Sequence, residues 1–309
     1  MADVAIGLDV GGTKIAAGLV DADGVVRHRA IRKTPKGDAE DVWSAVRKVV
    51  CEGTDELTDD RLVGVGVGCA APVNLTDGTV SPINIDGWQN FPLRARLTEL
   101  IASSNAPAPV RLAGDGLCMA LGEHWVGAGA GTRSMLGVVV STGVGGGLVL
   151  DGVPYSGRSG NAGHVGHIVV ESNGVPCTCG GKGCVETVAG GPGMVHWARV
   201  KGWQAPPHAN AEHLAAAARN GKEVARTAFD RAGYAVGLAV VAAAAVCELE
   251  LVVIGGGVAK AGALLFDPMH RALREHARLP YLADLRVLPA ALNDDAGLIG
   301  AAALIHRHR

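Results

Sequence analysis

Val4–Asp9 is apolar with too little alternation for a half-exposed strand, so the pattern predicts a buried one. Gly11-Gly12 turns the chain, Lys14–Val20 predicts a second strand, and Asp21-Ala22-Asp23-Gly24 ends it. Ala39–Glu52 follows a helical period, with Val42, Val46 and Val49-Val50 on one face. Leu62–Val67 predicts another buried strand. Ala113-Gly114-Asp115-Gly116 reads as a loop and Cys118–Trp125 as the helix after it.

The pattern then recurs. Met135–Val140 predicts a strand, Ser141–Gly147 a glycine turn, Leu148–Leu150 a returning strand and Asp151-Gly152 a tight turn. The likeness to the N-terminal strand–turn–strand reads as a weak internal duplication, one copy per domain. Ala211–Arg219 and Val224–Glu248 predict Ala-rich helices, and Gly297–His306 a last one. Between them Leu251–Ile254 predicts a strand running into Gly255-Gly256-Gly257, with a helix beyond. Strands interleaved with helices make the chain α/β. His306-Arg307-His308-Arg309 reads as a solvated tail.

At 309 residues the chain has room for two domains, each with its own core. An apolar share of 48% with 19% charged residues excludes disorder as the default. Lys+Arg 28 against Asp+Glu 30 leaves a net charge of −2, which argues against nucleic acid as the main partner. The longest apolar run, Val236–Cys247, is too short for a bilayer, and Met1-Ala2-Asp3 lacks the features of a signal peptide. The expectation is a cytoplasmic protein without a membrane partner. Of seven cysteines, Cys51, Cys69, Cys118 and Cys247 are dispersed, whereas Cys177, Cys179 and Cys184 cluster. An odd total with a tight cluster points to metal rather than disulfides.

Several motifs offer chemistry. In Asp9-Val10-Gly11-Gly12-Thr13-Lys14 the two glycines leave backbone N–H groups free to converge on phosphate oxygens. Asp9 could hold Mg²⁺, while Thr13 and Lys14 could reach phosphate; a permissive β-hairpin turn is the alternative. Ser141-Thr142-Gly143-Val144-Gly145-Gly146-Gly147 makes the same offer from the other domain, as a nucleotide in an interdomain cleft would need. A Walker A signature and a strand–GxGxxG–helix are both absent. Gly255, Gly256 and Gly257 would let a flat adenosine approach the backbone, or simply start a helix. His167-(x9)-Cys177-x-Cys179-(x4)-Cys184 supplies three thiolates and an imidazole, the donor set of a closed, structural zinc site, against the alternative of buried thiols. Asp115 is either a helix cap or a carboxylate able to accept a hydroxyl proton during phosphoryl transfer.

Together these motifs resemble the ROK family of repressors, open reading frames and kinases, particularly its bacterial glucokinases. Asp9-x-Gly11-Gly12-Thr13 and Thr142-Gly143-Val144-Gly145-Gly146-Gly147 resemble its phosphate motifs, and Gly255-Gly256-Gly257 its adenosine motif. Gly163-x-x-Gly166-His167 with Cys177-x-Cys179-Gly180-x-x-Gly183-Cys184-x-Glu186 resembles its sugar-and-zinc signature, and Asp295–Ala301 the start of its C-terminal helix. The resemblance implies an actin-like (ribonuclease H-like, duplicated) two-domain sugar kinase fold with a zinc-binding loop. It implies a small domain of residues 1–115 with about 291–309, and a large one of residues 116–290. It further implies ATP, Mg²⁺ and structural Zn²⁺ as cofactors, a sugar as partner, and a homodimer or homotetramer. Asp115 then matches the base that activates a sugar 6-hydroxyl, and Asn84, Glu186 and His167 match sugar-side residues. The Asp9–Lys14 and Thr142–Gly146 turns match ATP phosphate and Mg²⁺ holders. With the kinase core beginning at Val4, no helix-turn-helix reader domain fits.

Three departures stand out. Gly114-Asp115 replaces the usual Asn-Asp, His164-Val165-Gly166-His167 replaces Glu-x-Gly-His, and Ala70-Ala71 replaces a Pro-Gly pair. In the family's glucokinases the missing Asn and Glu bind hydroxyls around C2–C4 of glucose. Gly114 and His164 therefore imply a hexose altered near C2 or C3, such as 3-amino-3-deoxyglucose (kanosamine). An ordinary glucokinase, an N-acetylmannosamine kinase and a non-catalytic sugar sensor are the alternatives.

Overall fold

A computed structural model describes residues 1–104 and 106–307. In chain order the elements are β1 (Asp3–Val10), β2 (Lys14–Asp21), β3 (Val26–Lys33), α1 (Ala39–Asp55), β4 (Arg61–Cys69), β5 (Val73–Asn74), β6 (Thr79–Val80), α2 (Leu93–Ala102), β7 (Val110–Gly114) and α3 (Asp115–Val126). There follow β8 (Met135–Val140), β9 (Val144–Leu150), β10 (Val153–Tyr155), α4 (Val185–Ala189), α5 (Gly191–Val200), α6 (Ala211–Arg219), α7 (Glu223–Cys247), β11 (Leu251–Gly255), α8 (Ala263–His276), β12 (Arg286–Pro289) and α9 (Ala296–His306).

Two five-stranded sheets share one plan. The first has the order β3-β2-β1-β4-β7 and the second β10-β9-β8-β11-β12. In the first, β1 is antiparallel to β2 and parallel to β4, which is parallel to β7. In the second, β8, β11 and β12 run parallel and β10 is antiparallel to β9. The repeated order is the architecture expected of a duplicated α/β fold. In the first sheet's core, Ile6, Leu8 and Val10 pack with Val46, Val49 and Val50 of α1, burying an unbroken apolar face.

Compact packing divides the chain into Met1–Arg133, Gly147–Gly163 and Ala291–Arg309 on one side, and Ser134–Gly146 and His164–Ala290 on the other. The expected boundary at Asp115 is therefore displaced, and the first unit is the larger. The cause is α9. A side chain at Gly300 would collide with the Cys118 carbonyl of α3, and one at Gly66 or Gly7 with the carbonyls of Ala301 or Leu298. Backbone-to-backbone packing thus joins α3, α9, β1 and β4. Gly300→Ala should lower unfolding stability by about 3 kcal/mol, because rigid backbone faces the added methyl. Urea denaturation measures this.

Other expectations shift locally. β9 begins at Val144 rather than Leu148: Gly147 is a strand residue lying against α3, where a Cβ would stand 2.6 Å from the Leu117 nitrogen. Ala113-Gly114-Asp115-Gly116 is no loop, since β7 runs to Gly114 and α3 starts at Asp115. His306 is not solvated tail: its Nε2–H donates to the Val20 carbonyl at 3.1 Å and its ring lies 5.6 Å from Trp125. His308 and Arg309 lie outside the described residues.

α7 spans 25 residues and has the length and composition of a membrane span, which the shorter run Val236–Cys247 does not reveal. Its apolarity has a packing use within its own unit. Phe229, Ala232, Val236 and Val240 are buried, and a Cβ at Gly237 would stand 2.7 Å from the Met269 carbonyl of α8.

Candidate active site

In the first unit the carboxyl ends of three parallel strands converge, the edge where α/β sheets gather ligands. Asp9 pairs across from Gly68, Val10 from Cys69, and Cys69 from Gly114. Asp9 and Asp115 therefore leave the same sheet edge two strands apart, a separation of about 10 Å. Gly114 occupies the N-cap without a side-chain cap, so Asp115 is the first helical residue and not the cap. Its Oδ1 accepts the Gly116 N–H at 2.7 Å, and the residue is exposed. A carboxylate in the first turn of α3 is favoured by the helix dipole.

The Gly11–Lys14 turn is tied by the Gly11 N–H donating to the Lys14 carbonyl at 3.0 Å. The Thr34 hydroxyl secures it from outside by donating to the Gly11 carbonyl at 2.6 Å. Thr13 and Lys14 are exposed. Gly12 lies against Asn84, whose Cγ would be 2.5 Å from an added Cβ, so Asn84 stands beside the glycine turn. The Asp9 carboxylate rests over Gly297 in the first turn of α9, 3.1 Å from where a Cβ would be. Burial, with the nearby charge of Asp115 and against that of Lys14, pushes the Asp9 carboxyl up to about 6. Cys69 and Cys118 form a buried floor. Burial chiefly, and the charges of Asp9 and Asp115, hold their thiols protonated.

A carboxyl raised in the folded state contributes stability that is complete below its unfolded value of 3.8 and lost as the pH climbs through about 6. Metal-free protein should accordingly lose stability between about pH 4 and 7 relative to Asp9→Asn, by about 3 kcal/mol. Paired denaturation curves across that range test this.

In the second unit, β8 ends at Val140 and β11 at Gly255, which pairs across from Val139. Beyond β8 the Ser141 N–H donates to the Gly143 carbonyl at 2.9 Å, closing a tight turn. Gly145 is open: among the described residues, nothing lies within 4 Å of where its Cβ would be. Gly256 has φ +94° and lies on the Val140 carbonyl, so both conformation and space demand glycine. A cavity of about 760 Å³ adjoins both segments, lined among others by Thr142, Gly191, Asn210, Gly257 and Val258. That is ample for a nucleoside. Sequence reasoning misses Gly191, Arg199 and Asn210 of this cavity. Only Asn210 carries a local signal, its side chain capping α6 by accepting the His213 N–H at 3.1 Å.

Glu186, in the first turn of α4, accepts the Val144 N–H through Oε2 at 3.0 Å. His164 and His167 flank Val165-Gly166 with rings 6.1 Å apart and nearly parallel. The ligand atoms of His167, Cys177, Cys179 and Cys184 all lie within 4.8 Å of one another. Cys177 Sγ is 3.7 Å from His167 Nδ1, and Cys179 Sγ is 3.8 Å from Cys184 Sγ. Four donors about 2.3 Å from a tetrahedral centre would stand about 3.8 Å apart, so the set fits a closed four-coordinate ion. Gly180 and Gly183, at φ +89° and +69°, supply the left-handed bends that bring the thiols round.

The chain is similar to known proteins over nearly its whole length. The ROK family profile matches residues 5–308. A glucokinase of Thermotoga maritima is 33% identical over 97% of this chain and 96% of its own length. An N-acetylmannosamine kinase of Yersinia pseudotuberculosis is 31% identical, covering 96% of each chain. The crystal structure of a ROK family glucokinase from Streptomyces griseus in complex with glucose and AMPPNP superposes with a TM-score of 0.83 at 31% identity, over 98% of this chain and 99% of that one. With its duplicated sheet plan, glycine turns and Cys3His cluster, the chain belongs to the ROK family.

Proposed function

We propose that the protein is an ATP-dependent hexose kinase that transfers the γ-phosphate of ATP to the 6-hydroxyl of a glucose-like sugar. The observation that carries this reading is the sheet edge where Asp9 and Asp115 emerge beside the Gly11–Lys14 turn. Its support is the glucose and AMPPNP complex of the Streptomyces griseus relative.

In this reading Asp115 accepts the proton of the sugar hydroxyl as its oxygen attacks the γ-phosphorus and the bond to the β–γ bridging oxygen breaks, releasing ADP. Exposure leaves Asp115 reachable by a sugar. The Gly11–Lys14 turn offers phosphate oxygens backbone N–H, hydroxyl and ammonium groups, and the Thr142–Gly145 turn offers them backbone N–H and hydroxyl groups. Asp9 holds Mg²⁺ directly or through water. When bound, Mg²⁺ neutralises charge developing on the phosphates. Asp9 gives up the proton that burial otherwise favours when it takes that role. Gly255, Gly256 and Gly257 and the neighbouring cavity take the adenosine.

Asn84 and Gly114 are the sugar-side residues of the first unit, and His164, His167 and Glu186 those of the second. His167 turns Nδ1 to the thiols, leaving Nε2 for a hydroxyl, and Cys177, Cys179 and Cys184 complete a zinc site with no open position for water. A zinc ion held there would be structural. Gly114 supplies no side chain where the family's glucokinases have Asn, and His164 supplies an imidazole in place of a carboxylate. The preferred substrate is therefore a hexose modified near C2 or C3, with 3-amino-3-deoxyglucose the leading candidate: a neutral His164 accepts a hydrogen bond from an amine. The second reading is an ordinary glucokinase, favoured by the glucokinase relative at 33% identity. Turnover of glucose, 3-amino-3-deoxyglucose and N-acetylmannosamine, compared as kcat/KM, decides. Preference for the amino sugar by about tenfold or more supports the specialised reading, and efficient glucose turnover without that preference refutes it.

A further inference from the structure

The turn that follows β8 is held at successive residues by the segment that carries the metal cluster. The Ser141 carbonyl accepts the Gly191 N–H at 2.8 Å. A Cβ on Gly190 would stand 2.9 Å from the Thr142 carbonyl, so the two backbones are in close contact. Gly143 lies against the Glu186 carboxylate, where a side chain would collide with Oε2. That same Oε2 accepts the Val144 N–H at 3.0 Å, and the Val144 carbonyl abuts Gly166 so closely that no side chain fits there. Gly166 precedes the cluster residue His167, and Glu186 follows Cys184 by two positions.

We infer that Glu186 is a positioning residue for the nucleotide: it fixes the Gly143–Val144 peptide in the orientation that presents the turn to phosphate, and the metal cluster holds it there through Cys184 and His167. The inference rests on the proposed assignment of Thr142, Gly143 and Gly145 to ATP phosphates. One carboxylate then serves two ligands, Oε2 shaping the nucleotide turn while Oε1 meets a sugar hydroxyl. A sugar that draws on Glu186 stiffens the turn, and a nucleotide that needs the turn holds Glu186 in place. The two substrates are linked reciprocally, as any coupling between sites must be.

The test measures binding of a non-hydrolysable ATP analogue to zinc-loaded protein without sugar, by calorimetry, for wild type, Glu186→Ala, Glu186→Gln and Gly145→Val. Gln keeps a carbonyl oxygen able to accept from the Val144 N–H, and Ala does not. Gly145→Val puts a side chain over the turn at a position where, among the described residues, an added Cβ meets nothing within 4 Å. Glu186→Ala is expected to weaken the analogue about tenfold, the loss typical of one charge-assisted hydrogen bond, while Glu186→Gln stays within about twofold. Unchanged affinity in Glu186→Ala with weakened binding in Gly145→Val overturns the positioning role. Equal losses in Ala and Gln overturn it too, since charge rather than turn geometry would then matter. Unchanged affinity in both Glu186→Ala and Gly145→Val shows instead that the turn is not the phosphate site. If Glu186→Ala loses zinc or unfolds, Glu186→Leu, which fills the same volume, takes its place with the same expected outcome.

Discussion

Replacing Asp115 by Asn is expected to lower kcat about 10³-fold while sugar affinity changes little. The substitution keeps the size of the side chain and its acceptor for the Gly116 N–H, so α3 should start where it does now. It removes only the capacity to take a proton. Steady-state turnover beside sugar titration of the nucleotide-free protein separates the two effects. A comparable loss of sugar affinity would make Asp115 a ligand first and a base second. Retained turnover would remove it from the chemistry.

Loss of the metal should be the larger structural lesion. Cys184→Ser or a strong chelator is expected to release about one zinc per chain and lower the unfolding midpoint by more than about 5 °C. The Cys184 carbonyl accepts the Thr187 N–H at the start of α4, and the Val185 N–H donates to the Ile168 carbonyl. A loop that takes its shape around an ion should lose it when the ion leaves. His167 and Glu186 lose their anchorage together, so turnover should fall at least about 10²-fold. Metal content by atomic emission, read beside thermal unfolding of the same samples, tests this. A fully stable, zinc-free protein would show that the four ligands are packed thiols and imidazole only.

Much of this is legible in the sequence because strong local signals and chemical motifs coincide. β1, β2 and β8 are near-continuous apolar runs, as strands buried on both faces must be, while α1 declares itself by its period and α6 by its run of alanines. The Cys3His spacing anticipates a cluster that the fold brings within reach of a single ion. What stays hidden depends on distant partners. β3 alternates basic side chains with an exposed face, so its edge position leaves little apolar pattern. Gly147 reads as turn-forming, yet it is a strand residue that lets α3 approach. Nothing near Gly122 or Gly300 tells that they face one another's helices, the contact by which compact packing groups α3 with α9. The nucleoside-sized cavity escapes for the same reason: Gly191, Asn210 and Val258 come from three segments with no shared motif.

The most direct measurement supplies γ-³²P-labelled ATP, Mg²⁺ and a panel of hexoses and amino hexoses, then locates the transferred phosphate by NMR of the product. The account predicts a sugar 6-phosphate, formed by the wild type and not by Asp115→Asn. Label on another hydroxyl, or on no sugar at all while ATP still binds, would contradict it.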